Sequence, residues 1–269
     1  MNSKHHPTPR AILRTFALAA ALFIPLARAE DAVTAQSLSS RLASAVQDGS
    51  SSVRLKMEIT AGGNKTAFQL QIKSRRTKAA TELIYQVLWP KERKGESFLL
   101  RKPAGQAVSG AVFTLPDSLK TLSSSQMQEG IFGSQLTYED VTQNFFAWEK
   151  QAITGTETVD RVSCQILESK PGQGDRSSYG LVKSWIDVKK MTPLRIEKYL
   201  PSGQLASRID TTRVAKDDTD RPVPASMTVR RAGQTSVTEI EGSNSKHDVK
   251  FQDSDFTPEA LRALAQKAK

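Results

Sequence analysis

The sequence predicts a mainly β protein organised around one long antiparallel sheet, and three observations carry that reading. From Val53 onward apolar and polar residues alternate in segment after segment, the period of a half-buried strand. Gly, Pro, Asn and Asp clusters separate those segments as turns. Helical spacing is confined to the two ends and one short stretch between, so the βαβ order of a dinucleotide-binding fold is excluded.

In chain order, Val33, Leu38, Leu42 and Val46 recur at near-helical spacing between Asp31 and Gly49, which predicts an amphipathic helix over 31–48. Val53, Leu55, Met57 and Ile59 then alternate with Arg54, Lys56 and Glu58. Gly62-Gly63-Asn64 turns the chain into Phe68, Leu70 and Ile72, giving a hairpin with one apolar face. Further strands are predicted through Leu83–Trp89, Phe98–Leu100 and Val108–Leu115. A polar break from Ser118 to Glu129 leads to Thr137-Tyr138-Glu139-Asp140-Val141, where Thr137 can cap a short helix whose first turn carries the two acids. Strand-like segments resume over 148–154, 159–168, 179–188, 193–200, 204–214, 222–230, 235–241 and 247–252. Thr257 and Pro258 mark the start of a closing helix with Leu261, Leu264 and Ala265 on one side. About a dozen strands in one sheet accumulate too much twist to lie flat, so the sheet curls. Its hollow must then be filled by side chains, a helix or a ligand.

The first 29 residues read as a cleavable secretory signal. Lys4, Arg10 and Arg14 precede the apolar run Phe16–Leu26, and Ala27-Arg28-Ala29 supplies small residues at a cleavage point. The run falls short of the roughly 20 apolar residues of a membrane span. The expectation is export to the periplasm, cleavage after Ala29, and one domain over residues 30–269. No cysteine closes the signal, so no lipid anchor is expected. The single cysteine, Cys164, has no intrachain disulfide partner and reads as a small strand residue. The signal holds four basic residues and no acid, so its removal lowers the formal charge from +10 to +6. The remaining Lys and Arg are scattered over turns, a solvated surface rather than a nucleic-acid track.

Two of the three histidines, His5 and His6, lie in the signal, which leaves His247 as the one imidazole for chemistry. One His and one distant Cys give no zinc-ligand spacing, and a Ser-His-Asp centre would have to assemble around His247 at a strand end. Ser243-Asn244-Ser245-Lys246 has Ser-x-x-Lys spacing without the partner motifs. Asp217, Asp218 and Asp220 lack the Gly and distal Glu of a calcium loop, and Pro171-Gly172-Gln173-Gly174 is a turn rather than a phosphate loop. The expectation is a protein that is not an enzyme and has no metal or cofactor. What stands out is apolar. Tyr85, Trp89, Phe98, Phe113, Tyr138 and Trp185 are candidates to line a cavity for an apolar ligand, since such sites are mainly apolar with few polar groups.

Three pieces, Trp89-Pro90-Lys91-Glu92-Arg93-Lys94-Gly95-Glu96-Ser97-Phe98-Leu99, Thr114-Leu115-Pro116 and Phe132-Gly133-Ser134-Gln135-Leu136-Thr137-Tyr138-Glu139-Asp140, resemble the LolA-like outer-membrane lipoprotein-sorting protein family in order and spacing. Ser184-Trp185-Ile186-Asp187, Pro193-Leu194-Arg195-Ile196-Glu197 and Gly203-Gln204-Leu205 extend the resemblance over most of residues 53–214. The chain departs from the pattern at Gln135, where the family often has Asp, and at Val112-Phe113-Thr114, where it has an aromatic pair. The resemblance implies a curved antiparallel half-barrel of the LolA/LolB type, helices covering its concave face, and an apolar cavity for acyl chains. The function it implies is periplasmic lipid or lipoprotein binding and transport in outer-membrane biogenesis. The expected partners are lipidated protein or lipid acyl chains and an inner- or outer-membrane transport component, with no nucleic acid, and the expected state is a monomer. The residues leave open an accessory or sensor protein of a membrane exporter that uses the same fold without carrying cargo and, against the near absence of acid–base residues, a periplasmic hydrolase.

Overall fold

The alternating segments pair into strands in the order in which the chain makes them. In the computed structural model, which describes residues 1–2, 33–47 and 49–268 apart from the side chains of Ser243 and Ala268, two meanders form one sheet. The predicted signal and its cleavage point lie outside the described residues. The first meander is β1 (Gly49–Ala61), β2 (Asn64–Arg76), β3 (Ala80–Trp89), β4 (Ser97–Pro103), β5 (Ser109–Thr114) and β6 (Ser118–Thr121). The second is β7 (Lys150–Val159), β8 (Val162–Lys170), β9 (Leu181–Asp187), β10 (Thr192–Tyr199), β11 (Leu205–Lys216), β12 (Pro222–Arg231) and β13 (Val237–His247). Every neighbour is antiparallel, and β1 pairs with β13 to join the two meanders. The sheet ends on β6 and β7 and does not close into a barrel.

Helices α1 (Ala35–Val46), α2 (Tyr138–Thr142) and α3 (Pro258–Ala268) complete the fold, with α2 inside a crossing segment, residues 122–148, that links the meanders. The ends of α1 differ from the expectation. Thr34 caps it, its Oγ1 accepting from the Ser37 N–H at 3.1 Å, and Gly49 at φ +83° opens β1 instead of closing the helix. At α3 the anticipated cap holds, with Thr257 Oγ1 accepting from the Ala260 N–H at 3.2 Å. The expected strand over 247–252 is corrected: β13 ends at His247, and Phe251 packs its ring against Phe256 at 5.4 Å instead of entering the ladder. The polar break holds the short edge strand β6, whose Leu119 sits opposite Phe113.

Curvature follows from what the crossing segment holds. Strands β4 and β10 are seven positions apart in the sheet, roughly 34 Å if it were flat at the usual spacing. Yet the two are gripped by one turn of chain: Lys102 of β4 donates to Gln143 Oε1 at 2.6 Å, and Lys198 of β10 pairs with Asp140 at 2.6 Å. The sheet therefore curls around residues 138–143, and the face toward them is the hollow one. Leu83, Tyr85 and Val87 of β3 and Phe98 and Leu100 of β4 face it, with Phe132 and Tyr138 packed on them from the segment. At the other end Leu38 and Leu42 of α1 pack with Phe145, Phe146 and Trp148 against Leu167, Val182 and Ile186. Helix α3 lies on the opposite face, where Phe256 and Leu261 meet Ile84, Leu99 and Phe113. So α1 and α2 cover the hollow side, and α3 braces the sheet from behind.

Candidate functional site

Packing fills the hollow at both ends and leaves its middle open. A cavity of about 430 Å³ lies beneath β1, β2, β12 and β13, roofed by Val46 of α1 and by Ile131, Leu136 and Val141. Its floor is Val53, Leu55, Met57, Leu70 and Ile72, with Met227 and Ile240 alongside. Next to fully buried Met57 and Leu70, the inward-facing Val53, Leu55, Ile72 and Met227 are only half-buried. Apolar side chains aimed at the hollow that keep contact with solvent are the signature of an unfilled apolar site.

The Thr137-Tyr138-Glu139-Asp140 piece, the most specific part of the resemblance, is what fixes the roof. Thr137 and Asp140 form a reciprocal capping box at α2, at 3.1 and 2.9 Å. Tyr138 sets its ring edge-on to Phe98 at 4.9 Å. The buried Glu139 carboxylate accepts from the Ser177 hydroxyl at 2.7 Å and from the Ser178 N–H and hydroxyl at 2.9 and 2.8 Å, and also bonds Gln128. Asp140 accepts from Lys198 and from the Tyr179 hydroxyl at 2.8 Å, with the Asp140 and Lys198 side chains 1% and 3% exposed. Burial alone pushes the Asp140 carboxyl up, but the Lys198 charge and hydrogen bond, with help from Thr137 and Tyr179, hold it below the usual range. Burial and the neighbouring Asp140 raise the Tyr179 hydroxyl, so it stays a proton donor.

Just before this piece the backbone is tight. A Cβ on Gly130 would collide with the Ser134 carbonyl oxygen, so only glycine fits there. Phe132 takes φ +52°, a left-handed conformation that costs on the order of 1 kcal/mol, and is held in it by rings of Phe68 and Phe98 at 5.7 and 5.4 Å. Gln135 also explains itself: its carbonyl accepts from Thr238 Oγ1 at 2.5 Å while its amide donates to Ser236 Oγ at 2.6 Å. A carboxylate could only accept.

The six aromatic candidates do not form one group. Tyr85 lines the cavity. Phe98 and Tyr138 pack behind it as the solid end of the hollow, with Phe98 stacked on Tyr85 at 4.7 Å. Phe113 lies on the reverse face beneath α3. Trp185 is also on the reverse face, with Cys164 and Leu194, its Nε1–H donating to Glu157 at 2.8 Å and its ring under Arg195. Trp89 is 50% exposed, because a register shift between Gln69 and Leu70 takes it out of the inward row of Leu83, Tyr85 and Val87. The aliphatic lining of β1, β2, β12 and β13 was in the sequence as alternation, but nothing there distinguished it from ordinary core.

Among the described residues, none hydrogen-bonds the Tyr85 hydroxyl. Burial pushes it up to about 12, with Arg76 acting the other way, so it stays neutral and polar beside an apolar space. The hydroxyl borders the cavity and makes no hydrogen bond to the described residues, and a typical one is worth about 1 kcal/mol. Tyr85→Phe is therefore expected to leave the unliganded protein as stable or up to about 1 kcal/mol more stable, read as the urea midpoint. A loss of stability would show that the hydroxyl has a partner.

His247 does not build a catalytic centre with its neighbours. Asp217 and Asp218 converge on it, a grouping of possible metal donors that sequence spacing did not reveal. Asp218 bonds Nδ1, but Nε2, the nitrogen that would take a serine proton, faces the Arg221 guanidinium at 2.8 Å. The same guanidinium pairs with Asp217 at 3.0 Å, so a side-chain cation already neutralises this group of donors. Among the described residues no helix is long and apolar enough to cross a membrane.

Comparison with known proteins agrees with this architecture. A search of curated proteins finds no match. Among solved structures, a DUF1329 family protein from Desulfovibrio piger ATCC 29098 superposes with a TM-score of 0.78 at 22% identity, covering 84% of this chain and 97% of that one. A putative outer membrane lipoprotein-sorting protein domain from Vibrio parahaemolyticus gives 0.73 at 18%, covering 83% and 97%. A LolA superfamily protein from Nitrosomonas europaea gives 0.67 at 22%, covering 84% and 98%. These likenesses establish the fold. A family model described as an uncharacterized protein matches residues 79–263, more than half of the chain. That stretch runs from β3 through the roof of the cavity into α3, and the chain belongs to that DUF1329-type family, with the fold of the LolA superfamily.

Proposed function

We propose that this protein is a periplasmic lipid-binding protein of the lipoprotein-sorting type that holds an acyl chain in the cavity beneath its roof. The observation that carries the reading is the row of half-buried aliphatic residues, Val53, Leu55, Ile72 and Met227, facing a 430 Å³ space. A methylene needs about the room of a water molecule, roughly 30 Å³, so the space accepts on the order of a dozen. Each methylene taken from water contributes about 0.8 kcal/mol, so one buried chain offsets the cost of ordering it. Export by a cleaved signal ending at Ala29 and a single domain over 30–269 belong to the same proposal.

Native mass spectrometry of the protein released gently from the cell envelope tests it. An adduct with the mass of an acyl-bearing molecule is expected, and Val53→Trp, which fills the floor, is expected to remove the adduct with a melting temperature within a few degrees of the parent. Ligand-free protein, or an adduct that survives Val53→Trp, would contradict the assignment. One dominant protein partner without any lipid would favour the exporter-accessory reading.

A further inference from the structure

A larger space of about 810 Å³ adjoins the apolar cavity, and Ser51, Val53, Leu55 and Leu70 line both. That second space lies where β12 and β13 part. Among the described residues the two strands pair from Ser226–Glu241 to Arg230–Val237 and no further. Beyond that point Pro222–Pro224 pair with β11, while Gly242–His247 pair with β1. Bulges accompany the split, one between Arg54 and Leu55 and others beside Arg213. At its far end the gap is bridged, because Asp218 in the β11–β12 turn accepts from the His247 N–H at 2.8 Å. The result is a framed opening. Val53 and Leu55 point to one face of the pleat and Arg54 and Lys56 to the other, and all four line the space, so residues of both faces border it.

The charged side chains around this opening are mostly cations. Arg54, Lys56, Arg213 and Lys216 line it against two acids, Asp217 and Glu241. Asp217 is 1% exposed and tied to Arg221, and Glu241 pairs with Arg213 at 3.8 Å, so the lining keeps an excess of cations over acids. Lys56 and Lys216 also touch Glu58 and Asp220 at 3.3 and 2.9 Å, exposed pairs that water already weakens.

We propose that this window is the head-group end of the site and that its ligand is a single-chain amphiphile with an anionic head, a fatty carboxylate, whose tail lies in the apolar cavity. The inference rests on the acyl-chain reading of that cavity. Competition by hexadecanoate, hexadecanol and hexadecyltrimethylammonium against a fluorescent fatty-acid probe bound to the purified protein, each below its solubility or micelle limit, tests it. Hexadecanoate is expected to bind at least tenfold tighter than hexadecanol, with the cation weakest. Arg54→Glu with Arg213→Glu is expected to reverse that order, circular dichroism showing that the variant folds. The unsubstituted protein decides the question even if the variant fails to fold. Equal affinity for all three would overturn the head-group assignment and leave the cavity reading standing. Binding of none would overturn the acyl-chain reading itself.

Discussion

Lys198→Met is expected to cost about 3–5 kcal/mol and to detach the roof from β10. The substitution removes one member of an ion pair whose two side chains are almost wholly out of solvent, leaving the Asp140 carboxylate buried with only Thr137 and Tyr179 to satisfy it. Hydrogen exchange over residues 131–148 together with the guanidinium midpoint measures it. Exchange in the roof should rise by more than in β8 and β9. Asp140→Leu added to Lys198→Met is expected to recover much of the loss, because a pair replaced by apolar groups of similar size leaves no orphan charge. The same pair sets an acid limit. Asp140 has its folded-state value below its unfolded one, so its stabilisation is complete above the ordinary aspartate range near pH 4 and fades as pH falls through the folded value. A stability plateau extending below that range would remove Asp140 from the account.

Phe98→Ala is expected to cost a further 3–5 kcal/mol, roughly, in an otherwise unaltered protein. Phe98 is fully buried, and its ring meets Tyr85 from the sheet and Phe132 and Tyr138 from the roof. Its removal opens a void next to the cavity and frees Phe132 from the contacts that keep it at positive φ. Phe98→Leu, which keeps most of the volume, is expected to cost under half as much. Thermal unfolding of the pair measures both. Similar small losses in the two variants would mean that the roof is held by its polar anchors alone.

Most strands were readable because each hairpin is local: alternation fixes the faces and Gly62-Gly63 or Pro201-Ser202-Gly203 fixes the turns, while the short edge strand β6 carries too little alternation to stand out. The closing helix was readable from Thr257 and Pro258 for the same reason. What alternation could not say is which of two faces becomes the hollow one. That is decided by Lys102, Lys198 and Thr238 reaching for a segment far away in sequence. Phe113 and Trp185 sit in alternating strands as regular as those of Tyr85 and Phe98, and nothing local marks them as facing the other way. Trp89 was misleading for a different reason, since a bulge shifts the register without leaving a signature such as glycine. The parting of β12 and β13 was equally hidden, because both strands keep a partner on their other side.

Diffraction from crystals grown with hexadecanoate brominated at its terminal carbon puts the account to its most direct test. An anomalous peak under the roof, among Val53, Ile72 and Met227, is the outcome expected. Bromine found only on the outer surface, or those side chains collapsed together into a closed core, would contradict it.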